Sequence, residues 1–123
     1  MSKELYDLSI LSDMVYGDTD FMTELVNTFI EYAPLDTEEL LVFANANNWE
    51  ETSKKAHKLK SSIRTVGVIS LSDLILEIEL DSKDKKNIET IQPRILAFKN
   101  TLGLVLESLR NEPFITNSNE QSN

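Results

Sequence analysis

The sequence contains no cysteine, and only three glycines and three prolines in 123 residues. The absence of cysteine excludes disulfide bonds, thiolate catalysis and every metal site built on cysteine ligands. It also fits a reducing, cytoplasmic location, which we expect for this chain. Because glycine and proline are scarce, there is little material for β-turns, and the chain is expected to form helices rather than a sheet.

Long apolar runs are missing as well. No stretch of about 18 consecutive apolar residues is present, which is the length that a membrane-spanning helix needs. The first residues, Met1 to Asp7, lack the basic and then apolar order of a signal peptide, so none is expected. The net charge of −9 would repel DNA or an acidic membrane surface. We therefore expect neither a nucleic acid nor a membrane as a partner.

Apolar residues recur at helical spacing in five segments. The first is short, and the last has the most regular alternation of three-residue and four-residue steps. Pro34 and Pro93 lie inside two of the stripes, but each stripe continues in register and predicts a bend rather than an end. The polar residues Asp81 to Asp84 are expected to end the fourth segment, and Pro113 the fifth. The predicted helices cover roughly 7–15, 18–46, 49–66, 69–80 and 88–112.

Four long amphipathic helices joined by short links are typical of a bundle. The predicted fold is all-α, an antiparallel up-down four-helix bundle with a short additional N-terminal helix. The bundle is expected to occupy residues 1–112. Residues 113–123 are mostly Asn, Ser, Gln and Thr and predict a disordered polar tail.

The single histidine, His57, lies in the one strongly basic part of the chain. No acidic residue occurs between Thr52 and Ser72, so this stretch carries +5 while the remainder carries −14. Such asymmetry indicates a binding partner with an anionic group at this position. Five of the twelve basic residues fall within eleven consecutive positions, namely Lys54, Lys55, Lys58, Lys60 and Arg64.

Helical geometry places His57 on the outside of its helix. At about 100° per residue, the centre of the apolar seam lies about 130° away from it. A neutral imidazole nitrogen is a competent nucleophile, and nearby cations disfavour the imidazolium and attract phosphoryl oxygens. The seam consists of Trp49, Thr52, Ala56, Leu59, Ile63 and Val66, whereas Ser53, Lys54, Lys60, Ser61 and Arg64 lie within about 60° of His57.

A plainer interpretation is a surface histidine on a basic, solvated helix face. Composition and geometry alone favour it, because a lone histidine is common and charged helix faces are usually exposed to solvent without a binding role. One histidine is also too few for zinc or haem sites that need several ligands. We therefore expect no metal site in this chain.

The segment from Ala56 to Gly67 reads AHKLKSSIRTVG and resembles the motif H-x-L-K-G-S of histidine-containing phosphotransfer (HPt) domains. By this resemblance His57 matches the phosphoacceptor, and Lys60 matches the lysine that assists the phosphoryl group. The segment departs from the motif at Ser61, where the family usually has glycine. The remaining matches are Leu59, Ser62 and Gly67.

Two further segments support the resemblance. Asp18 to Leu35 is similar to the family pattern D-x-x-F-x-x-E-L-x-x-x-F, and Leu71 to Glu79 is similar to L-x-x-x-x-x-x-L-E, with Ile78-Glu79 as its final pair. Together the matches cover about residues 5–110.

The departure at Ser61 replaces glycine with another small residue. Its small side chain keeps access to His57, and its hydroxyl could form a hydrogen bond with the phosphoryl group or with a helix carbonyl.

The resemblance implies a phosphocarrier of a two-component phosphorelay. The aspartyl phosphate of a receiver domain would donate to His57, and phosphohistidine would pass the group to a second receiver. The chain would have no nucleotide-dependent kinase activity, and its isolated glycines fit no nucleotide-binding loop. It would need no cofactor of its own, because the receiver carries the magnesium ion.

The expected partners are receiver domains of response regulators and hybrid histidine kinases. We expect a receiver to dock over His57 on an apolar patch with a basic rim, and the carrier itself to be a monomer. The proposed contact residues are Met14, Val15 and Met22 for the patch, Lys54, Lys58 and Arg64 for the rim, and Ser61 beside the imidazole.

Two other functions remain open from the sequence. A helical adaptor or inhibitor of the same fold would bind a receiver or kinase without carrying phosphate, and would not need an imidazole. An acidic helical protein could instead bind a basic partner through its −14 remainder, but this hypothesis leaves the basic stretch around His57 unexplained.

Overall fold

The structure, a computed structural model, describes residues 5–116. Within this range the chain is helical and contains no strand. A short helix is followed by four long ones, which confirms the predicted four-helix bundle with an additional N-terminal helix. Over residues 5–116 the main helices are α1 (Ser9–Met14), α2 (Thr19–Asn45), α3 (Trp49–Val66), α4 (Ile69–Asp84) and α5 (Ile88–Arg110).

The long helices form a closed ring in which each packs on two others. Helix α3 packs against α2 and α4, and α5 completes the ring by packing against α4 and α2. Short links make consecutive helices antiparallel. Helix α1 lies against α2 and α3. This arrangement gives α3, which carries His57, a neighbour on either side.

Helix ends are fixed where the sequence supplies capping residues. The carboxylate of Asp18 accepts a hydrogen bond from the Phe21 amide at the start of α2, and the Asn48 side chain accepts one from the Glu51 amide at the start of α3. Gly67 ends α3 with φ of 85°, a left-handed conformation that glycine adopts without strain.

The Gly67 turn also holds the N-terminal segment. The Asp7 amide donates a hydrogen bond of 2.8 Å to the Gly67 carbonyl oxygen. A Cβ atom at position 67 would collide with the Asp7 carbonyl oxygen. Glycine is therefore required here for two reasons, namely its left-handed backbone conformation and the close approach of the backbone at Asp7.

The core follows the predicted stripes. Every member of the predicted α3 seam is buried, and so is the α5 stripe from Ile91 onward, while Ile88 in the first turn of α5 is 40% exposed. Pro34 and Pro93 lie inside continuous helices, as predicted. The buried α5 residues are Ile91, Ile95, Phe98, Leu102, Val105, Leu106 and Leu109.

Three predicted boundaries were wrong. Helix α1 begins at Ser9, two residues later than expected, and α4 continues to Asp84 through the polar residues that were expected to end it. The extra turn of α4 is stabilised by tertiary contacts, because Ser82 is buried and Asp81 accepts a 2.7 Å hydrogen bond from Arg94 of α5.

The third correction concerns the polar tail predicted from residue 113. Residues 113–116 form a helical turn, and Ile115 within it is buried against the core. Apolar burial therefore extends the ordered chain past Pro113. The rest of the predicted tail, 117–123, lies outside the described residues.

Across the described range 5–116, no helix combines the length and the apolar character needed to cross a membrane.

Candidate functional site

His57 projects from the middle of α3 into solvent, as the helical geometry predicts. Its side chain is 67% exposed, while Ala56 and Leu59 on the opposite side of the helix are fully buried. The ring has a protein contact that fixes its orientation in this structure, because Nδ1 lies 2.8 Å from Oε2 of Glu79 on the neighbouring helix α4. One imidazole nitrogen is therefore occupied by a protein contact.

Glu79 connects His57 to Lys60. Its second oxygen, Oε1, lies 2.7 Å from Nζ of Lys60. Both side chains of this ion pair are largely buried, with 15% exposure for Lys60 and 12% for Glu79. Such a pair is weakly screened by solvent compared with a surface ion pair. The carboxylate thus has a fixed position between an ammonium group and the imidazole.

The protonation state of Glu79 follows from these contacts. Burial by itself would raise its pKa, but the hydrogen bonds and charges of Lys60 and His57 outweigh burial and hold the pKa below its usual value. Glu79 is therefore ionised at neutral pH. An ionised carboxylate only accepts hydrogen bonds, so Nδ1 of His57 carries the proton. In the neutral ring this leaves the lone pair on Nε2.

Lys60 lies on α3 one turn after His57, at the position predicted for the lysine that assists the phosphoryl group. Its ammonium group points toward Glu79 of α4. Because Lys60 and His57 contact the same carboxylate, the Lys60 ammonium group lies close to the imidazole. The sequence-based interpretation placed Lys60 beside His57 and gave Glu79 no role beyond a match to the family pattern. Glu79 is thus the site residue that the sequence did not identify.

Several lysines around His57 form ion pairs with carboxylates that lie outside the basic stretch. Asp36 of α2, a buried carboxylate, lies 3.4 Å from Nζ of Lys55 and 3.2 Å from Nζ of Lys58. Lys54 lies 3.6 Å from both Glu50 and Glu51 in the first turn of α3. Neighbouring turns and helices therefore neutralise part of the +5 charge, although Lys54 and Lys58 stay exposed to solvent.

The predicted docking residues Lys58, Ser61 and Arg64 line two different surface depressions. Ser61 and Lys58 face α2 and line a groove of about 380 Å³ between α2 and α3, whose other wall includes the exposed Tyr32. Arg64 lines a smaller hollow of about 130 Å³ beside α1, together with Ile10. Tyr32 was missed by the sequence analysis, because it belongs neither to the basic stretch around His57 nor to the matched positions of the family pattern.

The apolar patch predicted from Met14, Val15 and Met22 needs one correction. Met14 is exposed and Met22 is half-buried, but Val15 is buried in the core and offers no surface to a partner. Val15 faces inward because it continues the apolar side of α1 that includes Leu11, which is fully buried.

Among residues 5–116, no group of three histidine, aspartate or glutamate side chains is placed to hold a metal ion. Glu79 is the carboxylate in contact with His57, and both of its oxygens are engaged by cationic or hydrogen-bonding partners.

An exposed, oriented histidine on a four-helix bundle is the arrangement that the sequence resemblance implies. The family model described as the Hpt domain matches residues 24–112 of this chain. The chain belongs to the Hpt domain family. The matched region includes His57, Lys60 and Glu79, and it omits α1 and the first turn of α2. No curated protein and no solved structure shows significant similarity to the chain.

Membership of the Hpt family assigns a general role. Hpt domains serve histidine phosphotransfer in two-component phosphorelays, as phosphocarriers rather than kinases, and they interact with receiver domains or kinases. The helical bundle and the exposed histidine of this Hpt domain agree with that role.

Proposed function

We propose that His57 carries the phosphoryl group, accepting it from the aspartyl phosphate of one receiver domain and passing it to the aspartate of another. The observation that supports this most strongly is the 2.8 Å contact between His57 Nδ1 and Glu79. It fixes the proton on Nδ1 and leaves a nucleophilic Nε2 on an exposed ring.

The transfer balances without a group from outside the two proteins. The Nε2 lone pair attacks phosphorus, an N–P bond forms, and the P–O bond to the receiver aspartate breaks to release a carboxylate. The ring then carries a positive charge, with its proton still on Nδ1. Glu79 stabilises that charge, because an ionised carboxylate accepts a stronger hydrogen bond from a cationic donor. Attack by the second receiver's aspartate reverses these steps.

Lys60 has two roles in this proposal. It holds Glu79 in position through the 2.7 Å ion pair, and its positive charge beside the imidazole attracts the phosphoryl oxygens. Phosphoryl transfer depends mainly on positioning and charge neutralisation, so one lysine and one oriented histidine are sufficient for the carrier's half of the site. The magnesium ion would belong to the receiver.

A receiver would reach His57 across the exposed surface around it. Lys54, Lys58 and Ser61 are exposed next to the ring and can contact the partner, and the groove beside Tyr32 offers apolar surface. We expect the carrier to act as a monomer in the cytoplasm, where phosphorylated receivers are found.

The test uses a receiver domain carrying radioactive aspartyl phosphate. The wild-type chain should acquire label that is stable in alkali and lost in acid, as expected for phosphohistidine. His57 is the only histidine, so labelled phosphohistidine in the chain would lie at this residue. His57→Gln should acquire no label while keeping its helical circular dichroism. Label of the same stability in His57→Gln would contradict the proposal.

The same reagents distinguish a carrier from an adaptor. Binding of the receiver is measured separately, by titration calorimetry with unphosphorylated receiver. An adaptor would bind the receiver with equal affinity in the wild type and in His57→Gln, and neither protein would become labelled. A carrier shows binding in both proteins and label in the wild type alone.

A further inference from the structure

A second groove borders the site on the other side of His57. It is open to solvent and has a volume of about 550 Å³ between α3 and α4, which is within the usual range for small-ligand sites. Ser53 and Lys54 of α3 form one wall, and the last turn of α4 with the residue that follows it forms the other, through Ser82, Lys83 and Lys85. We call it the α3–α4 groove. It extends from His57 toward the N-terminal end of α3.

The charge of the α3–α4 groove is positive once its ion pairs are considered. Glu79 lies on its wall but is engaged by Lys60 and His57, and Glu50 lies 3.6 Å from Lys54. Within residues 5–116, no carboxylate lies within 4.0 Å of the ammonium groups of Lys83 and Lys85. Two cations therefore remain available to a ligand.

A buried hydroxyl in the same wall lacks a partner. Ser82 is 1% exposed, and its Oγ forms no hydrogen bond with any other described residue. Buried polar atoms are nearly always hydrogen-bonded, because losing water without a replacement is unfavourable. Ser53 across the groove makes only a long hydrogen bond, 3.3 Å to the Glu79 carbonyl oxygen, among the described residues. The Ser82 hydroxyl can therefore donate its proton to an oxygen-rich ligand, whereas the single hydroxyl proton of Ser53 is already donated to Glu79.

We propose that the α3–α4 groove binds a small phosphorylated molecule, a phosphomonoester dianion. Lys83 and Lys85 neutralise its charge, and the Ser82 hydroxyl donates a hydrogen bond to a phosphate oxygen. The methylene stems of the lysines contact the organic part of the ligand, since long charged side chains expose apolar stems. The volume suits a small molecule rather than an extended peptide. No bond changes on binding, so the proposal does not rest on phosphoryl transfer at His57, although His57 lines one end of the groove.

The test follows amide resonances of the full chain by ¹H–¹⁵N NMR during titration with phenyl phosphate and, separately, inorganic phosphate. Ionic strength is kept constant with chloride, because screening alone shifts resonances of charged surfaces. We expect saturable shifts centred on Ser53, Ser82 and the residues after it. Phenyl phosphate should bind at least as tightly as inorganic phosphate, because its ring contacts the lysine stems.

Variants separate the α3–α4 groove from general electrostatic attraction. Lys83→Gln with Lys85→Gln removes two charges and should weaken phenyl phosphate binding at least tenfold, and Ser82→Ala should weaken it several-fold. The control is Lys99→Gln, which removes a charge that pairs with Glu38 elsewhere on the bundle, and it should bind like the wild type. The titration contains no phosphorylated receiver, so failure of the proposed phosphotransfer would leave this result unaffected.

Three results would overturn the assignment. Shifts that increase linearly without saturation would show screening rather than a site. Unchanged affinity in the double lysine variant would exclude the α3–α4 groove as the location. Binding of inorganic phosphate without phenyl phosphate would exclude a phosphomonoester. Circular dichroism of each variant establishes that the helices are retained.

Discussion

Glu79 of α4 accepts a hydrogen bond of 2.8 Å from Nδ1 of His57 on α3, and this contact sets which ring nitrogen is available for chemistry. The two residues are 22 positions apart in the sequence, on neighbouring antiparallel helices. The carboxylate is largely buried while the imidazole is largely exposed. An anchored carboxylate thus orients an accessible imidazole, which is an arrangement found in many sites that use histidine.

Glu79→Gln should slow phosphoryl transfer to His57. An amide still accepts a hydrogen bond but no longer offers a negative charge to the ring, and the loss of one charge-assisted hydrogen bond corresponds to a decrease of about 10-fold to 100-fold. The ¹⁵N chemical shifts of the ring should show mainly the Nδ1–H form in the wild type and a mixture of both forms in Glu79→Gln. Glu77→Gln, an exposed residue of the same helix, is the matched control and should change neither measurement.

Lys60 should act both through Glu79 and directly on the phosphoryl group, and a double-mutant cycle separates these effects. In Lys60→Ala alone, the increase in activation free energy for transfer is expected to exceed the loss in free energy of unfolding. If Lys60 also attracts the phosphoryl oxygens, Lys60→Ala with Glu79→Gln will be slower than Glu79→Gln alone. Equal rates for the double variant and Glu79→Gln would confine Lys60 to positioning the carboxylate. Transfer rates from one phosphorylated receiver provide the measurement.

The stability contributed by Glu79 should depend on pH in the acid range. Its pKa in the folded chain lies below the ordinary value of 4.5, so the folded state binds the proton less readily than the unfolded state. The contribution is fully present above pH 4.5 and is lost as pH falls through the folded-state pKa. In urea unfolding at pH 7, the free energy of unfolding of the wild type should exceed that of Glu79→Gln by about 1 to 3 kcal/mol. A difference that persists undiminished near pH 2 would contradict this origin.

Gly67→Ala should destabilise the fold by about 2 kcal/mol or more, because a left-handed conformation and a collision with the Asp7 carbonyl oxygen act together. Gly17 and Gly103 provide graded controls. Gly17→Ala has the positive φ without a collision and should cost about 1 kcal/mol, while Gly103→Ala lies in a helix with open space around it and should gain about 0.5 to 1 kcal/mol. Free energies of unfolding in urea would reveal whether this order holds.

Much of the fold was predictable because local periodicity determined it. The steps of three and four from Trp49 to Val66 identified every buried residue of the α3 seam, and unbroken stripes carried α2 and α5 past Pro34 and Pro93. The end of α4 was not predictable in this way. Its last turn depends on the contact of Asp81 with Arg94 of α5, which no local pattern contains.

The candidate site was predictable at His57 and incomplete around it. Periodicity placed the ring outside, and the family motif identified its role as a proposed phosphoacceptor. Glu79 was overlooked because its partner lies on another helix, although His57 and Glu79 are nearly equidistant from the Gly67 turn along the chain. The direction of the Lys60 side chain depends on that same carboxylate. Burial of Val15 depends on how α1 packs against α2 and α3, which its own sequence does not specify.

The link between α3 and α4 has a consequence for how the site assembles. His57, Lys60 and Glu79 all lie within one helical hairpin whose link is only the Gly67–Val68 pair. Contacts between residues close in sequence form quickly, since little chain entropy is lost in closing a short loop. The candidate site of this protein therefore has a low contact order, because its three residues depend on the contact between two consecutive helices alone.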